Sequence, residues 1–332
     1  MTTGKKILFV CGSLNQTTMM HQIAQALPEC QAFFTPYYSD GLLGWLSKTG
    51  ALDFTILAGQ ARAATLAYLA EHRLRRDDGG RQQQQYDLAV TCSDLIIPRN
   101  LRRLPIILVQ EGMTEPENLI FHMVRVLRLP RYLANTAMTG LSHAYQKFCV
   151  ASEGYRELFI RKGVAPDKIA VTGLPNFDNA EQFRHNDFPL RGYVLALTSA
   201  RRETFKYENR PAFIRRALAL AQGRQLLFKL HPNENHARAR REITRLAPQA
   251  LIFTAGNTNH MIANCEVMVT RYSSAVYIAL ALGKEVHADL DRAVLEQLAP
   301  LQNGGTSAQR IAAICRSYLN NPQEHCFAPG HA

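Results

Sequence analysis

The sequence predicts an α/β protein made of two successive sets of parallel strands and helices. Three observations carry this expectation. Short apolar, β-branched runs alternate with stretches of helical periodicity along nearly the whole chain, the pattern of layered parallel sheets. The composition changes between residues 173 and 189, where polar and turn-forming residues interrupt the alternation. A chain of 332 residues is also too long for one ordinary core and suits two domains.

In the first set, strands are expected at residues 6–11, 31–38, 53–58, 86–92, 106–109, 147–151 and 169–172. Helices are expected from residue 14 to about 27 and at 61–75, 117–129 and 153–162, with Pro130 ending the third. Residues 77–85, DDGGRQQQQ, read as a polar surface loop. In the second set, strands are expected at 193–197, 225–230, 250–253, 266–270 and 285–288. Helices are expected at 211–222, 235–246, 260–265 and 275–282, with more to the C-terminus. The predicted domains are 1–175 and 190–315, with the segment 316–332 returning to the first. Two such domains joined by one linker place a cleft between the carboxyl ends of their strands, where ligands of open α/β sheets bind.

Hydrophobic residues make up 47% and charged residues 20%, as in soluble globular chains. No apolar run reaches the length of about 18 residues that a membrane span needs. The run from Ile7 to Cys11 falls short of the roughly 7–15 residues of a secretory h-region and reads as the first strand. Seven scattered cysteines without a CxxC pair fit a reducing cytoplasm and neither a disulfide framework nor a zinc site. No histidines stand at metal-ligand spacing. Net charge is +11, and residues 191–245 hold thirteen Lys/Arg against four Asp/Glu. No nucleic-acid-binding motif accompanies this excess, and aromatics are not interleaved with it. Anionic lipid and phosphorylated ligands are the better partners for such a face.

The polar residues able to carry chemistry follow predicted strands. The run CEVMVTRYSSAVYIALALGKEVH places Arg271, Ser273 and Ser274 between a strand and a helix. A helix N-terminus offers free N–H groups and partial positive charge to phosphate, and two hydroxyls and a guanidinium would add to it. Ser274 acting only as a helix cap is the plainer alternative. Lys229 and His231 lie on one side of a strand end, with Pro232 fixing the backbone behind them. Arg201 and Arg202, in the loop after the strand at 193–197, are of the type that clamps phosphate bidentately. Gly12 and Ser13 form a short turn after the first strand, without the GxGxxG of a dinucleotide site. Glu111, followed by Gly112, and Asp94 are strand-end carboxylates suited to general-base work.

These motifs resemble those of known enzymes. KLHP at 229–232 followed by TRYSSAVYIALALGKEV at 270–286 is similar to the paired His-Pro and Ser-Ser motifs of CDP-glycerol glycerophosphotransferases and of bacterial sialyl- and polysialyltransferases. That resemblance implies the GT-B glycosyltransferase fold, with His231, Ser273 and Ser274 on the donor's phosphates or nucleotide. VQEGMTEPEN at 109–118 resembles the segment around the active-site glutamates of non-hydrolysing UDP-N-acetylglucosamine 2-epimerases. VASEGYRELFIRKGVAPDKIAVTGLPNFD, TSARRET and HPN are similar to further epimerase segments. The resemblance implies the same two Rossmann-like domains facing across a cleft. The chain departs from both patterns. Ala200 stands where the epimerase motif has histidine, Tyr277 and Ile278 where it has paired glutamates, and Arg271 where the transferases have aspartate.

The resulting expectation is a GT-B enzyme that transfers a sugar or polyol phosphate from a nucleotide-activated donor without metal or cofactor. Its expected setting is cell-surface polysaccharide or glycolipid synthesis, in the cytoplasm or at the inner face of the membrane. Gly12, Ser13, Arg201, Arg202, Lys229, His231, Arg271, Ser273 and Ser274 would hold the nucleotide or phosphates. Glu111 would be the acceptor's base, with Asp94 as a weaker candidate, and Glu111 and His231 would face one cleft. The acceptor would be an oligosaccharide or lipid-linked, with a basic face resting on the membrane in the latter case. The alternatives are an epimerase-like isomerase and an inactive nucleotide-sugar-binding homologue.

Overall fold

A computed structural model describes residues 4–320 apart from Gln84 and Phe205. The chain divides into two compact units: the described residues up to Asp178 with those from Asn303 onward, and Asn179–Gln302.

The first unit contains β1 (Lys6–Cys11), α1 (Leu14–Gln25), β2 (Gln31–Pro36), α2 (Gly41–Leu46), α3 (Gly59–Glu71), β3 (Leu88–Thr91) and β4 (Ile106–Val109). It continues with α4 (Leu119–Val126), β5 (Lys147–Val150), α5 (Glu153–Lys162) and β6 (Ile169–Val171). Its six strands are parallel in the order β2-β1-β3-β4-β5-β6. Nearly every residue of β1, β3, β4 and β5 is buried, because helices cover both faces of a parallel sheet. This explains why these strands read as unbroken apolar runs.

The second unit contains β7 (Tyr193–Leu197), α6 (Arg210–Ala221), β8 (Leu226–Lys229), α7 (His236–Leu246) and β9 (Leu251–Phe253). Then come α8 (Thr258–Asn264), β10 (Cys265–Val269), α9 (Val276–Ala281), β11 (Glu285–His287) and α10 (Arg292–Leu298). Its five parallel strands run β11-β10-β7-β8-β9. Alternate residues Val194, Ala196, Phe228, Val267 and Val269 share one face and pack on Phe213 and Ile214 of α6 and Ile243 of α7.

The chain then re-enters the first unit. The Asn303 amide donates to the Thr172 carbonyl at 2.9 Å, and the Ser307 N–H donates to Asp178 at 2.7 Å. The final helix, α11 (Ser307–Asn320), packs on α1. Residues 303–315, expected in the second domain, therefore lie in the first unit. Residues 321–332 of the expected returning segment 316–332 lie outside the described residues.

Two expectations fail for local reasons. Residues 53–58 form turns rather than a strand. The Thr55 hydroxyl donates to the Leu52 carbonyl at 2.7 Å and accepts from the Leu57 N–H at 3.2 Å, a side-chain turn that displaces extended backbone. Gly59 follows at φ +57, where an added Cβ would sit 2.1 Å from the Asp53 carbonyl. The serine pair also does not cap a helix directly. Ser274 and Ala275 form a turn, and α9 starts at Val276 with Ala275 at its cap position and no side-chain cap bond.

Candidate functional site

In the second sheet β7 leads to β8 and β9 on one side, whereas β10 and β11 lie on the other. The loops leaving β7 and β10 therefore diverge at the carboxyl edge, the topological switch point where open α/β sheets bind ligands. Thr270 ties the two strand ends, its hydroxyl donating to the Leu197 carbonyl at 3.2 Å. The loop 198–204 follows β7, the loop 270–275 follows β10, and His231 follows the neighbouring strand β8.

A buried polar network fixes His231. Its N–H is 2.9 Å from the Thr198 hydroxyl and 2.9 Å from Glu234 Oε1. Thr198 also donates to that same Oε1. Glu234 Oε2 accepts from Arg210 at 2.8 Å, and the same guanidinium donates to the Ser199 carbonyl at 3.0 Å. Arg210 Nε lies 2.9 Å from Glu208 Oε1 without hydrogen-bond alignment, while its Nη2 donates to Glu208 Oε2 at 3.4 Å. All three charged side chains are almost wholly buried. On the ring, Nδ1 accepts the Asn233 N–H at 3.1 Å. The proton of the neutral imidazole therefore sits on Nε2, as a donor. Burial, then the Lys229 cation, holds the ring below the ordinary imidazole pKa; Glu203 opposes this and His236 adds to it.

The other proposed phosphate ligands fare unequally. Arg201 Nε is buried without a hydrogen-bond partner among the described residues, an unsatisfied donor beside the switch point. Ser273 and Ser274 are half-buried in the loop after β10, where the Ser273 hydroxyl accepts from the Ala275 N–H at 3.3 Å. Three cations are committed elsewhere. Arg202 makes a bidentate pair with Glu242, both bonds 2.8 Å. Arg271 is 2.8 Å from Asp289. Lys229 is buried in the strand and donates to the Leu230 and Thr254 carbonyls at 3.2 and 3.4 Å. The thirteen basic residues of 191–245 are thus partly neutralised by their own four acids.

In the first unit, Gly12 and Ser13 serve a carboxylate rather than standing as open donors. Ser13 is the N-cap of α1 and accepts from the Gln16 N–H at 3.2 Å. Its hydroxyl donates to Glu111 Oε1 at 2.8 Å, and the Gln16 amide donates to Oε2 at 2.6 Å. At Gly12 a Cβ would stand 1.9 Å from the Gln16 amide oxygen, so this glycine lets Gln16 bend toward Glu111. Burial raises the Glu111 pKa, and the Gln16 and Ser13 hydrogen bonds only partly offset it. Each carboxylate oxygen keeps a second lone pair, so the group can still accept a proton from a hydroxyl. Asp94 is occupied differently. It is buried, and its two oxygens accept the Gly140 and Ser142 N–H groups, each at 3.0 Å. That geometry anchors a turn and does not favour a base.

Sequence reasoning missed Gln16, Thr198, Glu208, Arg210 and Glu234. For Gln16 a signal existed: Ser13-Leu14-Asn15-Gln16 has the S-x-x-Q spacing of a capping box. Among the described residues no group of three or more His, Cys, Asp or Glu is placed to hold a metal ion.

Solved structures share this architecture. The UDP-GlcNAc 2-epimerase from Neisseria meningitidis bound to UDP-GlcNAc matches with a TM-score of 0.58 and 13% identity, covering 94% of this chain and 100% of that one. The fold is GT-B. The S. aureus MnaA-UDP co-structure gives a TM-score of 0.61 at 14% identity, over 95% of this chain and 97% of that one. The wall teichoic acid polymerase TagF gives 0.56 at 12% identity, over 98% and 91%. The GT-B chain thus resembles in structure both kinds of protein that its motifs resemble in sequence. No protein-family model and no curated protein sequence matches it.

Proposed function

We propose that this GT-B protein binds a nucleotide-activated sugar or polyol phosphate through the second unit and transfers the activated group to an acceptor hydroxyl. The observation that carries the reading is His231. Its main-chain N–H is held by a buried network, its ring tautomer is set by the Asn233 N–H, and its Nε2–H remains as a donor next to the switch point. With Arg201 and the Ser273–Ser274 loop it forms a phosphate-binding set that needs no metal: a full charge, a neutral ring donor and hydroxyls. As the bond to the donor's phosphate breaks, the nucleotide leaves with the electron pair, and these groups stabilise its charge. Glu111, its basicity raised by burial, takes the proton of the attacking hydroxyl.

The similar solved structures include complexes with UDP-GlcNAc and with UDP, and a wall teichoic acid polymerase, so nucleotide-activated donors are the ligands to test first. Transfer is preferred over epimerisation on one point. Tyr277 and Ile278, which occupy the positions of the paired epimerase glutamates, are each 1% exposed and belong to the core around α9. Neither can hold a ribose.

The test is a product assay with UDP-, CDP- and CMP-linked donors, with and without oligosaccharide or lipid-linked acceptors. The reading expects nucleotide release that depends on acceptor. Interconversion of UDP-GlcNAc with its 2-epimer in the absence of acceptor would replace it with the isomerase.

A further inference from the structure

Helix α4, in the first unit, is apolar on two sides. Phe121 and Val124 enter a core formed with Ala134, Ala137 and Met138. At about 100° per residue, Leu119, Ile120, Met123, Val126 and the following Leu127 fall within an arc of about 120° on another side. That arc is uncovered: Leu119 is 75% and Val126 78% exposed. Leu129 and Leu133 extend the exposed apolar surface beyond the helix. A folded chain seldom leaves such a contiguous patch without a partner.

The charge beside it is mainly positive, although Glu117 just before α4 acts on Lys162. Between Leu119 and His143 the sequence has Arg125, Arg128 and Arg131 and no Asp or Glu. These arginines, with His143 and Lys162, line a recess beside the C-terminal end of α4. Arg131 Nε is buried there without a hydrogen-bond partner among the described residues. The Lys162 ammonium lies 5.5 Å and 5.4 Å from the Phe121 and Phe159 rings and donates to the Ala137 carbonyl. An apolar arc with Arg125 on the opposite side of the helix and Arg128 and Arg131 just beyond its C-terminal end fits an interfacial helix, whose apolar face enters the acyl boundary while its long cations reach lipid phosphate.

We propose that the α4 face docks on an anionic phospholipid surface, with Leu119, Ile120, Met123, Val126 and Leu127 at the acyl boundary and Arg125, Arg128 and Arg131 on lipid phosphates. Self-association fits less well, because the recess beside this patch is lined mainly by cations and a two-fold pairing would bring two such sets together. The contact differs from the basic stretch 191–245, whose acids pair with several of its own arginines.

The test is co-sedimentation of the full chain with phosphatidylcholine vesicles and with vesicles doped with phosphatidylglycerol. Binding is expected only to the doped vesicles and should weaken as salt rises. The double variants Val126→Asp/Leu127→Asp and Arg125→Glu/Arg128→Glu should each lower partitioning by about tenfold or more. Their thermal unfolding should be unchanged, since all four side chains are exposed. Equal partitioning of wild type and variants, or no binding to doped vesicles, would overturn the proposal. So would a dimer in solution that the apolar variant converts to monomer, which would assign this face to a second copy.

Discussion

Glu111 illustrates how burial and hydrogen bonding set a single residue's chemistry. Burial raises its pKa, while two neutral donors, Gln16 and Ser13, partly restrain the rise. In the folded chain the proton is therefore held to higher pH than in the unfolded chain. Stability on this account falls as pH rises from the ordinary carboxylate value through the raised one. Activity should do the opposite, because only the ionised carboxylate is a base; the acid limb of the pH–rate profile should lie above the usual glutamate range. Glu111→Gln should lower kcat by about 10²- to 10⁴-fold with nucleotide affinity retained. A variant with near-normal turnover would remove Glu111 from the reaction. Its place after β4 was legible from the run ILVQEG. Its partners Ser13 and Gln16 were not read as such, because they follow β1, with β3 between that strand and β4.

Among the elements, the loops after β7 and β8 depend on the cluster of Arg210 with Glu208 and Glu234. The three are nearly excluded from water, so removing the one cation leaves two carboxylates desolvated. Arg210→Met should cost about 3–5 kcal/mol of stability, whereas replacing all three by uncharged residues of similar volume should cost far less. Urea unfolding of the two variants measures the difference, and equal losses would refute the coupling. This cluster was hidden in the sequence because its members belong to a surface-like charged stretch. Burial, not residue type, makes them structural. The same blindness made Arg202 and Arg271 look like phosphate ligands, when each faces a carboxylate that folding brings to it. Strands were easier to read. Buried parallel strands show as unbroken apolar runs, whereas Thr55 turned the apolar run TILA into a loop through a hydroxyl hydrogen bond that periodicity does not register.

For the whole molecule, alternation of strands and helices was enough to indicate layered α/β units, and motif order was enough to indicate GT-B. The return of the chain to the first unit comes at Asn303, earlier than the expected residue 316. The bonds that make it, from Asn303 to Thr172 and from Ser307 to Asp178, join residues far apart in sequence. The central claim is that the carboxyl edge of the second sheet holds a nucleotide's phosphates through His231. Calorimetric titration of the full chain and of His231→Ala with UDP, CDP, CMP and their sugar- or glycerol-linked forms tests it most directly. A charge-assisted hydrogen bond contributes about 1.5–3 kcal/mol, so the account predicts saturable binding of one nucleotide class, weakened roughly ten- to a hundredfold in the variant at a nearly unchanged melting temperature. Equal affinity in the two proteins, or no binding of any nucleotide by the folded wild type, would contradict it.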